Sequence, residues 1–163
     1  MIEVEIDSIR VSLMSEHRVI VLKALENELY LPIWIGPYEA EAIAIRLKNV
    51  DISRPLTHDL LNNVIGEMGG DISYILVSDL RDDTFYALIN VDVNGTRLEI
   101  DSRPSDAIAL AVRAGVPIFV AETVMERASI TPETDIAEGA EDDEELSAFR
   151  DFVEGLDLDA LAS

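Results

Sequence analysis

Polar side chains concentrate where three predicted helices begin. The tripeptide Ser-Arg-Pro occurs twice, at residues 53–55 and 102–104, each time shortly before a helix. Asp59 and Asp106 fall in the first turns of these helices, and Glu39 lies at the start of a third. Helix N-termini gather N–H donors that favour anions, and an arginine beside them offers a planar fork to phosphate or carboxylate. The spacing therefore indicates an anion-binding or acid–base site built from several helix starts.

The sequence lacks the signatures of the common catalytic classes. It contains no cysteine, which removes thiolate nucleophiles, disulfides and cysteine zinc sites. His17 and His58 are the two histidines, too few for a histidine-rich metal site. No phosphate-binding loop, paired-glycine dinucleotide fingerprint or H-E-x-x-H motif is present. A structural alternative remains for the helix starts, in which each arginine pairs with a neighbouring aspartate and fixes the turn.

The segment 97–120 is the best-defined unit of the chain. Apolar and polar residues alternate at its start, which predicts a strand. Pro104 suits the first position of a helix, where its missing N–H is no loss. The helix body is apolar on all sides, which indicates complete burial, and Gly115 is typical of the residue after a helix. We therefore expect a buried helix at 104–114. Four polar residues lie close to its N-terminus: Asp101, Arg103, Ser105 and Asp106.

Hydrophobic periodicity and turn residues predict the other elements. Strands are expected at 2–13, 19–25, 29–35, 72–80, 84–93, 96–101 and 117–120. Helices are expected near 38–49, 57–68 and 104–114, with a further short one at 122–127. Thr57 is the expected N-cap of the second helix. The expected inner face of that helix is Leu60, Leu61, Val64, Ile65 and Met68.

Three strands followed by a helix occur twice in this order of elements. A shift of 65 residues places the Ala-Ile-Ala of the first helix on that of the 104–114 helix. Chance similarity between alanine-rich helices is the alternative explanation. We predict an α+β domain over residues 1–130, with mixed and antiparallel strands, built by duplication of a strand-strand-strand-helix unit.

Acidity is the dominant compositional feature. The 163 residues carry 33 Asp plus Glu against 12 Lys plus Arg, a net charge of −21. Residues 131–163 contribute −11, from twelve acids and Arg150, and the rest of the chain contributes −10. An acidic chain with two lysines is typical of a halophilic organism, whose salt screens self-repulsion, although an acidic protein from an ordinary organism is the alternative. The lack of an 18-residue apolar run and of a secretory pattern predicts a cytoplasmic protein without a membrane span.

Residues 131–163 differ from the preceding domain. Residues 131–140 have the proline, glycine and acidic content of a linker. Residues 142–162 can form an amphipathic helix with one apolar stripe: Leu146, Phe149, Val153 and Leu156. A polar disordered tail would not need phenylalanine at this spacing. We expect this stripe to dock on its own domain or on a neighbouring chain.

Three motifs occur in a characteristic order. They are Leu-Pro-Ile-Trp-Ile-Gly at 31–36 followed by Glu39-Ala40, Arg-Pro-Leu-Thr-His-Asp-Leu-Leu at 54–61, and Ile-Asp-Ser-Arg-Pro-Ser-Asp-Ala-Ile-Ala-Leu-Ala at 100–111. Together they resemble the bifunctional nuclease domain family over about residues 1–130. The resemblance implies DNase and RNase activity in a wedge-shaped homodimer, with a groove proposed as the active site. Residues 131–163 lie outside it.

The motif positions suggest roles for the residues at the helix starts. Candidate catalytic groups are His58, Asp59, Asp101 and Asp106. Candidate substrate contacts are Arg54, Arg103 and Ser105. Candidate ligands of Mg²⁺ or Mn²⁺, which take carboxylate oxygens, are Glu39, Asp101 and Asp106. No organic cofactor is expected.

The net charge argues against a nuclease, and other functions stay open. A nucleic-acid binder normally presents a basic face, whereas the domain that carries the resemblance has a net charge of −10. A divalent cation would supply positive charge and activate water. The alternatives to a nuclease are a non-catalytic oligomeric regulator or small-anion-binding module, and some other hydrolase.

Overall fold

The fold is described from a computed structural model that covers residues 1–11 and 15–132. The strands are β1 (Ile2–Val11), β2 (Arg18–Ala24), β3 (Tyr30–Ile35), β4 (Gly70–Arg81), β5 (Thr84–Val93), β6 (Thr96–Ser102) and β7 (Ile118–Val120). The helices are α1 (Pro37–Leu47), α2 (Thr57–Glu67), α3 (Pro104–Ala114) and α4 (Glu122–Ala128). The protein is therefore of the α+β class, as the sequence predicts.

All seven strands form one mixed sheet in the order β3-β2-β1-β7-β4-β5-β6. The short strand β7 lies at its centre, antiparallel to β1 and parallel to β4. On each side of β7 is a three-stranded antiparallel meander. The two edge strands, β3 and β6, each lead after one residue into a helix that begins with proline. The strand-strand-strand-helix order thus occurs in both halves of the sheet.

The register of the repeat differs from the expected one. Pro37 and Pro104 open α1 and α3, so the two helices are 67 residues apart. The shift of 65 was wrong by two residues because it aligned alanine triplets within the helices instead of the helix starts. In the corrected register Glu39 matches Asp106, and Arg46 matches Arg113. Duplication itself stays a prediction.

Helix α3 is the centre of the helical layer. It packs against α1, α2, β4 and β5, and seven of its residues are buried: Pro104, Ser105, Ala107, Ile108, Ala109, Leu110 and Ala111. This confirms the prediction of a helix buried on all sides, with the predicted bounds. It ends at Gly115, whose φ of 69° is in the left-handed region that glycine adopts without strain.

Helix α2 differs from its prediction in two respects. Its N-cap is Leu56, and Thr57 is already helical. Its expected inner face is also wrong in part, since Leu60, Val64 and Met68 are 57%, 42% and 78% exposed. The apolar side of α2 is wider than the part that contacts the core. The helix packs on the core through its partly buried residues Leu61 and Ile65.

Some predictions fall on residues outside the described part of the chain. These are the end of the first strand, at 12–13, most of the linker at 131–140 and the amphipathic helix at 142–162. In the part that the structure describes, no helix is both long and apolar enough to span a membrane.

Candidate functional site

The first turns of α1 and α3 are joined by Arg103, the N-cap residue of α3. Its Nη2 donates a 2.8 Å hydrogen bond to Glu39 Oε1, and its Nε donates one of 2.8 Å to Asp106 Oδ2. These hydrogen bonds raise the pKa of Arg103 above its ordinary value. Its side chain is nevertheless 64% exposed. The guanidinium is therefore accessible to an anion from solution, in competition with two carboxylates.

His58 brings the first turn of α2 to the same place. Its side chain is largely buried, and Nε2 lies 2.8 Å from Asp106 Oδ1. Asp106 thus contacts His58 through one carboxylate oxygen and Arg103 through the other. Partial burial would raise the pKa of Asp106, but the hydrogen bonds from His58 and Arg103 outweigh burial and lower that pKa below its ordinary 3.8. Asp106 is consequently a carboxylate at neutral pH and can orient the imidazole.

A second ion pair lies next to the first. Asp59 accepts a 2.8 Å hydrogen bond from the backbone N–H of Leu56 and a 2.9 Å bond from Nε of Arg113. Arg113 also donates to the carbonyl oxygens of Ala109 and Ala42, at 2.8 and 3.0 Å. Its side chain is only 4% exposed. Arg113 therefore joins α1 and α2 to α3.

Sequence reasoning missed Arg113, although the sequence holds a signal for it. Arg113 lies in the last turn of a helix that is otherwise apolar and buried. A cation in such a helix needs a partner, because an unpaired buried charge is costly. The partner, Asp59, is 54 residues away, so the sequence alone could not name it.

The structure brings together some of the predicted site residues and separates others. Glu39, His58, Arg103 and Asp106 form one connected group, which we call the helix-start cluster. Ser105 lies beside this cluster but is buried in α3. Asp101, on β6, and Arg54, in the loop after α1, are exposed, and their side chains form no hydrogen bond or ion pair with another described residue.

The expected metal site was Glu39, Asp101 and Asp106. Among the described residues, no group of three or more histidine, aspartate or glutamate side chains is arranged to hold a metal ion. Glu39 and Asp106 both face the guanidinium of Arg103, and Asp101 lies outside the cluster. These residues as arranged do not fit a divalent cation, which would have to replace the guanidinium between the two carboxylates.

The cluster has the parts of an acid–base site. If Nε2 of His58 carries the proton that faces Asp106, the imidazole lone pair is on Nδ1 and can accept a proton. A carboxylate that holds the imidazole in one orientation is the usual support for this role. Arg103 provides planar donors suited to a phosphate. The arrangement can therefore activate a hydroxyl or water beside a bound phosphate.

Comparison with known proteins defines the class. The family described as the bifunctional nuclease domain matches residues 20–133, and the chain belongs to that family. It is 38% identical over 160 residues to uncharacterised proteins from two strains of Mycobacterium tuberculosis, with 96% of each chain covered. It is 31% identical over 108 residues to bifunctional nuclease 2 of Arabidopsis thaliana. It is 30% identical over 108 residues to bifunctional nuclease 1 of Oryza sativa subsp. japonica. These two plant matches cover 64% of this chain and 33% of each plant protein.

Proposed function

We propose that this protein is a nuclease that hydrolyses phosphodiester bonds in DNA, RNA or both. The observation that carries the proposal is the Asp106–His58 pair beside the exposed Arg103, all within motifs of the bifunctional nuclease domain. His58 is the general base, oriented by Asp106. Arg103 exchanges its bond to Glu39 for a bond to the substrate phosphate.

The residues outside the cluster take other roles in this proposal. Asp59 supports His58 through Arg113, because its carboxylate is occupied by the start of α2 and by that arginine. Arg54 is exposed and free of described carboxylate partners, so it is available for a second phosphate contact. Asp101 has no role in a mechanism centred on His58.

Metal assistance by Mg²⁺ or Mn²⁺ is a separate part of the proposal, and no step is assigned to it. Its support is the acidic surroundings, since a cation would offset the repulsion between carboxylates and a phosphodiester. Its difficulty is Arg103, which already occupies the space between Glu39 and Asp106. Cleavage assays with added Mg²⁺ or Mn²⁺ and with EDTA decide this question independently of the roles of His58 and Arg103.

The test of the nuclease is cleavage of labelled single-stranded RNA and DNA by the full chain. His58→Ala should lower the turnover number by roughly 10²-fold or more if the imidazole transfers a proton. Arg103→Met should raise KM, with little change in the unfolding free energy. Arg97→Met is the matched control, because Arg97 is also exposed and paired with a carboxylate, Asp92, but lies on β6. Arg97→Met should leave cleavage unchanged.

A non-catalytic regulator or small-anion-binding module is the second candidate. The observation in its favour is that every charged group of the helix-start cluster already has a partner within the cluster. A fully folded wild-type protein without cleavage, whose His58→Ala and Arg103→Met variants differ only in melting temperature, would leave this candidate in place of the nuclease.

We further propose that the protein acts as a homodimer. The exposed apolar residues of α2 and its C-cap support this, because Leu60, Val64 and Met68 recur at helical spacing. Leu98 and Ile100, on the edge strand β6, are also exposed. Val64→Asp should shift the mass measured by light scattering from dimer to monomer, whereas Glu67→Gln in the same helix should not. A wild-type monomer would contradict the dimer.

We also propose that the protein works in a high-salt cytoplasm. The support is the net charge of −21, whose self-repulsion salt would screen. The melting temperature of the full chain should then rise between dilute buffer and molar KCl. A melting temperature that is unchanged or falls would contradict the proposal.

A further inference from the structure

An open cleft of about 770 Å³ lies between α1 and the ends of β1 and β2. Its apolar lining comes from both sides: Ile9, Val11, Ala40, Ala44 and Leu47. Val11 and Leu47 are exposed there. We call this feature the β1–α1 cleft. It is distinct from the helix-start cluster, although Pro37 and Tyr38 at its mouth directly precede Glu39.

The two halves of the sheet differ in how closely a helix covers them. Helix α3 packs closely on β4 and β5, and its residues Ile108 and Ala111 are buried. In the register that aligns Pro37 with Pro104, the matching positions of α1 are Glu41 and Ala44, which line the cleft. Helix α1 contacts the sheet chiefly at β2. One half of the sheet is therefore covered by its helix, and the other half leaves apolar side chains uncovered.

The cations without carboxylate partners are also gathered in this region. Of the described lysines and arginines, six form no ion pair with a described carboxylate: Arg10, Arg18, Arg46, Lys48, Arg54 and Arg127. The first five belong to β1, the start of β2, α1 and the loop after α1. Arg18 and Lys48 line the cleft itself, and the Arg18 side chain donates to the carbonyl oxygens of Glu16 and His17.

We propose that the β1–α1 cleft is the docking site of the chain's own C-terminal segment, residues 142–162. Leu146, Phe149 and Val153 enter the apolar cleft as the stripe of an amphipathic helix. The carboxylates beside the stripe face Arg18 and Lys48. An apolar stripe flanked by acids thus meets an apolar cleft in which two cations, Arg18 and Lys48, have no described carboxylate partner.

Chain length and charge support this occupant. Residues 131–163 have a net charge of −11, and Arg18 and Lys48 in the cleft lining offer partners to carboxylates of this segment. The described chain ends close to Ile130, which pairs with Tyr30 at the start of β3. β3 then spans roughly 20 Å towards α1, and nine extended residues reach ~30 Å. Residues 133–141 are therefore long enough to bring the stripe to the cleft.

A nucleic acid is the competing anionic occupant, and the lining disfavours it. A phosphate backbone would gain nothing from the alanine and leucine side chains. It would also approach Asp7, Glu16 and Glu41, which line the same cleft. Repulsion by these carboxylates acts on the acidic segment as well, but burial of its apolar stripe offsets that cost.

Paramagnetic relaxation NMR on the full chain tests the proposal. Because the chain has no cysteine, Glu41→Cys gives one spin-label site at the cleft, and Glu99→Cys on β6 is the matched control. The label at 41 should broaden the amide signals of residues 146–156 severalfold, and the label at 99 should not. Adding Phe149→Asp to the Glu41→Cys chain should remove the broadening while the signals of α3 stay unchanged.

Three outcomes would overturn the proposal. The first is the absence of broadening of residues 146–156 by the label at 41. The second is broadening that arises only between molecules, when spin-labelled chain is mixed with isotope-labelled chain, because the occupant would then be a second copy. The third is a shift of the Ala44 and Leu47 signals on addition of an RNA oligonucleotide, with residues 146–156 unbroadened throughout, because the cleft would then be a nucleic-acid site.

Discussion

Arg113 should carry more of the fold's stability than any other charged side chain in the helical layer. Its side chain is 4% exposed, and it forms one ion pair and two carbonyl hydrogen bonds that join three helices. Arg113→Met is the suitable change, because methionine has a similar helix propensity and fills much of the same space. The substitution leaves Asp59 without its cation and removes the hydrogen bond from Arg113 to the carbonyl of Ala42.

The expected cost follows from burial. Removing one member of a buried ion pair costs ~3–5 kcal/mol. Asp59 is partly exposed and keeps its bond from Leu56, so we expect a somewhat smaller cost than this range, about 2–4 kcal/mol of unfolding free energy. At roughly 4 °C per kcal/mol, the melting temperature should fall by ~8–16 °C. Arg103→Met should cost less than ~1 kcal/mol, since that arginine is largely exposed.

Urea unfolding of the full chain, followed by far-UV circular dichroism, measures both variants against the wild type. The midpoint should shift strongly for Arg113→Met, with an unchanged slope. Asp59→Asn combined with Arg113→Met should cost less than the sum of the two single changes, because the pair is lost only once. If Arg113→Met costs no more than Arg103→Met, the assignment of Arg113 as the residue that fastens the three helices is wrong.

Two further predictions concern the same helix. The pKa of Asp106 is lower in the folded protein than its ordinary 3.8, so its stabilising contacts are present above about pH 4 and are lost as the pH falls through the lowered value. The difference in unfolding free energy between wild type and Asp106→Asn should therefore shrink below about pH 4. A difference that persists at about pH 2 would contradict the linkage. Gly115→Ala should lower the unfolding free energy by about 1 kcal/mol. The cost is backbone strain at a φ of 69°, since no neighbouring atom lies within 4 Å of the added Cβ. An equal or higher melting temperature would show that a side chain does not strain this helix end.

The sequence predicts local structure well in this protein. The apolar composition of α3, together with Pro104 at its start and Gly115 at its end, suffices to predict its bounds and its burial. The Asn-Gly turn at 94–95 likewise lies between β5 and β6. The same local signals show which residues of a helix are apolar, but not how many of them contact the core. Leu60 and Val64 were therefore assigned to the core although they face away from it.

The helix-start cluster could be predicted only in part. Glu39, His58 and Asp106 each occupy a first turn, and this local property is visible in the sequence. Their convergence depends on the packing of α1 and α2 against α3, which no local pattern encodes. Asp101 illustrates the limit, because it is two residues from Arg103 in sequence yet belongs to a strand that ends before the cluster begins.

The position of β7 has a consequence for the synthesis of the chain. β7 is only three residues long, yet among the described strands it alone joins β1 to β4, and it is the last of them to leave the ribosome. Until residue 120 is available, the two meanders are separate sheets, and each presents an unpaired edge at β1 or β4. Open edges of this kind invite pairing with other chains, and contacts between such distant residues form slowly. Nascent chains that stop before Ile118 should therefore be the most aggregation-prone species of this protein, although they already contain six of the seven described strands and all three helices of the helix-start cluster.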